Sequence, residues 1–297
     1  MASFKDLQKN RMSTLQNLTK QVEKLSEKPS YGDDRIWKCE RDKTGNGYAV
    51  IRFLPAPVNE DVPWVRLWTH GFKGPGGWYI ENSLTTPTTA NPGGTEDPVS
   101  KANTGLWNSG IESDKNIARD RKRKLSYYSN ILVLEDSMNA ENEGKVFLFR
   151  YGKKIFEKIE SVMNPEFKDE TPMNPFDFWE GANFKLKIRQ VDGYANYDKS
   201  EFAAASPLFD GDDAKLEGMW KTQYSLQDII APDKFKSYQE LEARFNTVIA
   251  RSDQYKNADG TGEFVGTIEE STNDPIASVD APEATDSLDY FKKLAEQ

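Results

Sequence analysis

The apolar positions change period several times along the chain, and those changes divide it. Leu15, Leu18, Val22 and Leu25 recur at helical spacing among Glu, Lys and Gln, which predicts an amphipathic helix within residues 3–27. Pro29 ends it. Such a helix can dock on its own core or serve as an arm that docks on another copy. Short strand-like runs follow the turn residues at 31–34. Gly45-Asn46-Gly47 is a hairpin signal, because Asn and Gly tolerate positive φ, and it leads into Tyr48–Leu54. Pro55 and Pro57 stop that run. Trp64–His70 and Trp78–Asn82 flank a Gly-Pro-Gly-Gly turn at 74–77. This meander of short strands points to a barrel or sandwich.

Residues 83–120 break the pattern. Thr85–Gly94 is a loop by composition, Trp107 lies among polar neighbours, and the segment turns basic from Lys115. Strands resume at Tyr127–Leu134 and Lys145–Tyr151. Lys153–Asn164 carries Ile155, Phe156, Ile159 and Val162 on one helical face. In Asn183–Val191 the alternation sends Phe184, Leu186 and Ile188 inward and Lys185, Lys187 and Arg189 outward. A basic outward face fits a groove wall, and fits an ordinary solvated face still better. Tyr194 and Tyr197 follow in a turn. Ala203–Asp213 reads as a loop, Leu216–Ile230 as partly helical, and Phe235–Arg251 as a helix.

One stretch combines two chemistries. Arg121-Lys122-Arg123-Lys124 runs directly into Tyr127-Tyr128. Cations beside aromatics suit single-stranded nucleic acid, where cations meet phosphates and rings stack on bases. A solvated charge run beside ordinary strands has the same appearance, and the segment alone does not choose. The net charge of −9 looks unfavourable to nucleic acid until it is divided. Residues 257–297 hold ten acids against two bases, a net of −8 that leaves −1 for residues 1–256. That acidic, Gly- and Thr-bearing stretch reads as disordered, with helical potential only at Leu288–Leu294.

Catalysis finds no support in the residues. His70 is the single histidine and Cys39 the single cysteine, so neither a nucleophilic triad nor a four-ligand zinc site of thiolates and imidazoles can be assembled. No phosphate-binding glycine loop is present. No apolar run reaches membrane-spanning length, and the first residues lack an apolar signal-peptide region.

Longer segments carry a resemblance. Gly45–Pro55, His70–Lys73, Trp78–Glu81, Glu141–Phe147, Gly152–Ile155, Trp179–Phe184 and Asp233–Ser237 resemble, in one order, the helix-destabilising single-stranded-DNA-binding proteins of T-even-type bacteriophages. The similarity covers most of 35–252. It implies an α+β fold, mainly β, with an OB-fold core over 31–256 and an inserted loop-rich lobe around 83–120. It further implies an N-terminal helical arm over 1–30 for cooperative self-association, and an acidic flexible tail over 257–297. The tail would serve phage replication and recombination proteins. The residues expected to meet DNA are Lys122, Arg123, Lys124, Tyr127, Tyr128, Phe149, Arg150, Phe156, Tyr194, Tyr197 and Trp107. Lys9, Arg11, Ser13 and Thr14 loosely echo the family's self-association motif.

The family also holds zinc with one His and three Cys. Here His70 is kept, while Ser83, Asp97 and Ser100 stand where the family has cysteines. The expectation is therefore no zinc and no other cofactor, with the lobe held by packing around Trp107 and the prolines. The function expected is sequence-nonspecific, cooperative coating of single-stranded DNA in replication, recombination and repair, in the cytoplasm of an infected bacterial host. It is binding without catalysis and without a membrane. A different class stays open: a protein-interaction hub in which the barrel binds protein and the acidic tail is the working end.

Overall fold

The computed structural model describes residues 33–250. The helical arm, its Lys9, Arg11, Ser13 and Thr14, and the acidic tail with Leu288–Leu294 lie outside the described residues. The chain divides into two contact units, Met1–Trp37 and Lys38–Gln297. In the first, Arg35 clasps Asp33 at 2.7 Å ahead of the two-residue strand β1 (Ile36–Trp37).

In the second unit the described elements follow in order. They are β2 (Gly47–Phe53), β3 (Val65–Gly74), β4 (Gly77–Asn82), α1 (Pro98–Asn108), α2 (Glu112–Asp120), β5 (Lys124–Asp136), β6 (Val146–Tyr151), α3 (Lys153–Met163), β7 (Ala182–Val191), β8 (Tyr194–Asn196), β9 (Glu201–Ala205), α4 (Asp213–Lys221) and α5 (Tyr238–Ile249). The strand pairs among β2–β9 are antiparallel. Among the described residues no helix is long and apolar enough to cross a membrane. The fold is mixed α+β, dominated by sheet.

β5 is the shared strand. Its first half pairs with β3, its second half with β2, and its middle with β6. The sheet continues from β2 to β7 and on to β8, with β9 on β7 and β4 at the edge beyond β3. Ser126–Val133 is buried without interruption, so both faces of β5 are covered. One face meets a core centred on Phe53. Five rings, Phe149, Tyr151, Phe176, Phe184 and Phe202, lie 5.5–6.3 Å from it, in tilted and edge-on contacts. Such contacts add to plain area burial. The other face places Leu132 with Leu54, Phe178, Leu208 and α4's Leu216 and Met219.

The apolar run Tyr48–Leu54 contains a charge, Arg52, with no exposed surface. Its Nη2 donates to the carbonyls of Asp177 at 2.8 Å and Ser206 at 3.0 Å, and its Nη1 to Asn183 Oδ1 at 3.2 Å. Gly181 lets the 177–181 loop close on it, since a Cβ there would meet the Asp177 carbonyl at 2.2 Å. The guanidinium thus ties that loop to β2, and burial paired with hydrogen bonds is what makes it tolerable.

Three segments differ from the sequence expectation. The loop-rich lobe contains two helices, α1 and α2. Asp97 accepts the N–H groups of Val99 and Ser100, and Pro98 takes the first turn, where it needs no donor. Ala203–Asp213, expected as a loop, begins inside β9 and continues as a short 3-10 turn. Tyr194 lies in β8, after the Asp192-Gly193 turn. The lobe is also held differently. Trp107 is half exposed, while Val99 packs with Phe72 and Tyr79 of the β3–β4 hairpin and with Leu241, Phe245 and Val248 of α5. α5 is set by a capping box between Ser237 and Glu240.

Phe53 is the common neighbour of the aromatic core. Phe53→Ala is expected to lower unfolding stability by about 3–5 kcal/mol. Denaturant titration at neutral pH measures it, and a loss below about 1 kcal/mol contradicts this view of the core.

Candidate nucleic-acid interface

The basic run starts at Arg121, the C-cap of α2, just after Arg119 in the last helical turn, and ends in β5. Its arginines do not stand free. Arg119 lies 5.4 Å from the Trp107 ring and pairs with Glu112 at 2.7 Å. Arg121 lies 5.6 Å from both Phe72 and Phe245. Arg123, expected as a free phosphate contact, has its guanidinium 4.2 Å from the centre of Trp68. Lys122 is exposed and Lys124 half-buried, and neither side chain pairs with a described residue. Arg66 is exposed on β3, directly across from Tyr127 of β5. Arg150 donates from Nε to Ser126 Oγ at 3.0 Å.

The aromatics expected to stack on bases are placed otherwise. Tyr127, Tyr128 and Phe149 are 7%, 6% and 5% exposed, so they are core residues in this structure. Tyr127 stacks on Phe156 at 4.0 Å and 7°, and on Tyr151 at 5.7 Å. Phe149 stacks on Tyr151 at 5.3 Å. Burial raises the Tyr127 phenol above its ordinary pKa. The physical reason is the position of the pair in β5, where every residue from Ser126 to Val133 is covered on its own face. Trp107 and Tyr194 present half-open rings, at 50% and 52% exposure. Tyr197 is half-buried, and burial pushes its phenol up.

The structure also does not gather these residues into one row. The basic run enters β5 at Lys124, beside Thr69 of β3. Tyr194 pairs with Val191 beyond the Gly47 end of β2, and that end of β2 lies alongside the Asp136 end of β5. Two of the three outward cations of β7 are compensated: Lys187 pairs with Glu201 at 2.7 Å and Arg189 with Asp198 at 2.6 Å. Sequence reasoning missed Arg66 and Trp68. Their signal was the alternation in Trp64–Trp68, where Val65 and Leu67 are buried and Arg66 is not.

His70, Ser83 and Asp97 do come together, without the donors that zinc needs. The His70 Nδ1 lies 2.9 Å from the Arg121 carbonyl. Its Nε2 lies 3.2 Å from Asp97 Oδ1, though without the alignment of a hydrogen bond. Asp97 Oδ1 also accepts the N–H groups of Val99 and Ser100, both at 3.0 Å. Oδ2 accepts from Ser83 Oγ at 3.0 Å and from the Leu84 N–H at 3.2 Å. The carboxylate is committed to the cap of α1, and the remaining candidates are hydroxyls. Cys39 is no substitute, because burial, reinforced by Asp136, pushes its thiol up to about 12. A structural zinc site needs four ligands, mostly thiolate or imidazole. The residues present do not fit that metal.

Sequence profiles agree with the segments noted above. The profile described as gp32 DNA binding protein like matches residues 45–249. The chain belongs to that family. It is similar to the single-stranded DNA-binding protein of Enterobacteria phage T2, with 41% identity over 219 residues, 73% of this chain and 70% of the relative. It is also similar to the single-stranded DNA-binding protein of Enterobacteria phage T4, with 39% identity over 236 residues, 78% of this chain and 76% of the relative. Within this gp32-like chain, the matched region takes in the basic run, the Phe53 core and the His70–Asp97 pair.

Asp97 gives the pH test. Burial alone would raise its pKa, but the His70 ring close by and the hydrogen bonds from the Ser100 N–H and the Ser83 hydroxyl prevail and hold it at about 2 against an ordinary 3.8. A depressed carboxyl stabilises the fold above its unfolded pKa and loses that contribution as pH falls through the folded value. Asp97→Ala is expected to cost about 2–3 kcal/mol at neutral pH. In chemical denaturation the gap between parent and variant should close as pH falls from about 4 towards about 2. A gap that stays constant across that range contradicts the assignment.

Proposed function

We propose that this protein coats single-stranded DNA without sequence preference and serves replication, recombination and repair in a T4-type phage. Membership of the gp32 DNA binding protein like family carries the reading. The chemistry that supports it is the pair Lys122 and Lys124, two cations without partners among the described residues, with the exposed Arg66 on the neighbouring strand β3. Ammonium groups in that state displace counterions from a phosphate backbone, so binding is salt-dependent and indifferent to sequence. Trp107 and Tyr194 offer open ring faces to bases. Tyr127, Phe149 and Phe156 belong to the aromatic core on one face of β5, Tyr128 is buried on its other face, and Arg150 donates to Ser126 next to the basic run. The function is binding, with no chemical step.

The antiparallel strands around an aromatic interior support an OB-type core over 31–256. Residues 1–30, with Lys9, Arg11, Ser13 and Thr14, act as the arm by which neighbouring copies associate on the strand. Residues 257–297, with a net charge of −8, act as the contact for phage replication and recombination proteins. The place of action is the cytoplasm of the infected host.

Anisotropy of labelled oligo-dT across a salt series tests the reading. The parent is expected to lose affinity linearly in log salt. Lys122→Ala and Lys124→Ala should each weaken binding and flatten the slope by about 0.7–1. A parent that ignores oligo-dT, as a pure protein hub would, overturns the function. Unchanged slopes in both variants overturn the site.

A further inference from the structure

β3 presents three residues at alternate positions, Trp68, His70 and Phe72, and each of them holds the basic run. Trp68 lies under the Arg123 guanidinium at 4.2 Å. The His70 Nδ1 meets the Arg121 carbonyl at 2.9 Å. Phe72, with Phe245 of α5, lies 5.6 Å from the Arg121 guanidinium. In a strand, positions two apart share a face, so these three form one ladder. Arginine and lysine alternate over 121–124, and Arg119 precedes them across Asp120. Every arginine is docked on a ring, and neither lysine pairs with a described residue.

The two cations differ in the way this arrangement requires. A guanidinium is planar and weakly hydrated, so it rests on an aromatic face at little desolvation cost. An ammonium is compact and strongly hydrated, so it stays in water until a phosphate arrives. The arginines thus act as clips and the lysines as contacts. His70 adds a hold on the backbone itself, where a ring contact alone would leave the main chain free to rotate. Its other nitrogen faces Asp97, whose oxygens cap α1, so the ladder is continuous with the lobe.

We infer that Trp68, His70 and Phe72 are positioning residues for single-stranded DNA binding: by holding Arg121 and Arg123 they present Lys122 and Lys124 as a fixed pair of phosphate contacts. The inference rests on the DNA-binding reading above. Holding two long side chains and their backbone in place before binding removes an ordering cost that the complex otherwise bears. Trp68 is the best probe, since it is half-buried where His70 and Phe72 are buried, and among the described residues its ring contact is with Arg123.

A double-mutant cycle on oligo-dT affinity, in the full chain at fixed salt, tests it. Trp68→Leu is expected to weaken binding about tenfold while leaving the salt slope near the parent value. Trp68→Phe, which keeps a ring for Arg123, should recover most of that loss. In a background of Lys122→Ala and Lys124→Ala, Trp68→Leu should have almost no further effect, because the contacts it positions are gone. Should Trp68→Leu fail to fold, Arg123→Gln removes the same contact from the solvent side and enters the same cycle. Additive losses overturn the inference, since they mean that Trp68 acts on DNA directly or only through the fold. A Phe variant as weak as the Leu variant overturns it too. Both results leave the DNA-binding reading standing, which fails instead if the parent does not bind oligo-dT.

Discussion

The double burial of β5 is the constraint on which the rest depends. A strand that pairs with β2, β3 and β6 along its length, and is covered on both faces from Ser126 to Val133, has almost no freedom to shift register. A slip of one residue would exchange Tyr127 and Ile131 in the aromatic core for Tyr128 and Leu132 on the opposite face. The Phe53 cluster fixes one side of this choice, and the Leu54–Phe178–Met219 cluster fixes the other. With the register fixed, the point where the basic run enters β5 is fixed as well, at Lys124 beside Thr69. Position and charge are therefore set by one packing decision.

The positions that the resemblance marks for metal ligands are joined by hydrogen bonds instead. Asp97 caps a helix, accepts from Ser83 and faces His70, while His70 reaches back to the Arg121 carbonyl. Hydrogen bonds to an ionised, fully buried acceptor are stronger than neutral ones, and here four donors converge on one carboxylate. Val99 and the Phe72–Tyr79–Phe245 packing supply the apolar part of the joint. The lobe is thus attached by ordinary side-chain chemistry, at a point that also steadies the basic run.

Much of this was legible in the sequence, and the failures have definite causes. Alternation located β7 and helical period located α3, while runs of branched and aromatic residues between turn signals located β2, β5 and β6. The helices α1 and α2 were missed because their surfaces are largely polar. The Asp97–Pro98 start was a readable cap signal all the same. Tyr127 and Tyr128 were misplaced because aromatics after a basic run look alike whether they face water or a core. Only the pairing partners of β5 decide between the two. The compensation of Lys187 and Arg189 by Glu201 and Asp198 depends on contacts 14 and 9 residues away, beyond any local pattern. The triad of His70, Ser83 and Asp97 was anticipated as positions, but the contact of His70 with Arg121 was not.

The central claim is that single-stranded DNA is gripped at the basic run, with lysines in direct contact and arginines held on rings. Lysine-selective acetylation, read by mass spectrometry with and without saturating oligo-dT, tests it most directly. The account predicts strong protection of Lys122 and Lys124 by the oligonucleotide, and none at Lys215 and Lys221, which pair with Asp212 and Glu217 on α4 and its cap. Equal reactivity of Lys122 and Lys124 in the free and bound protein would contradict it.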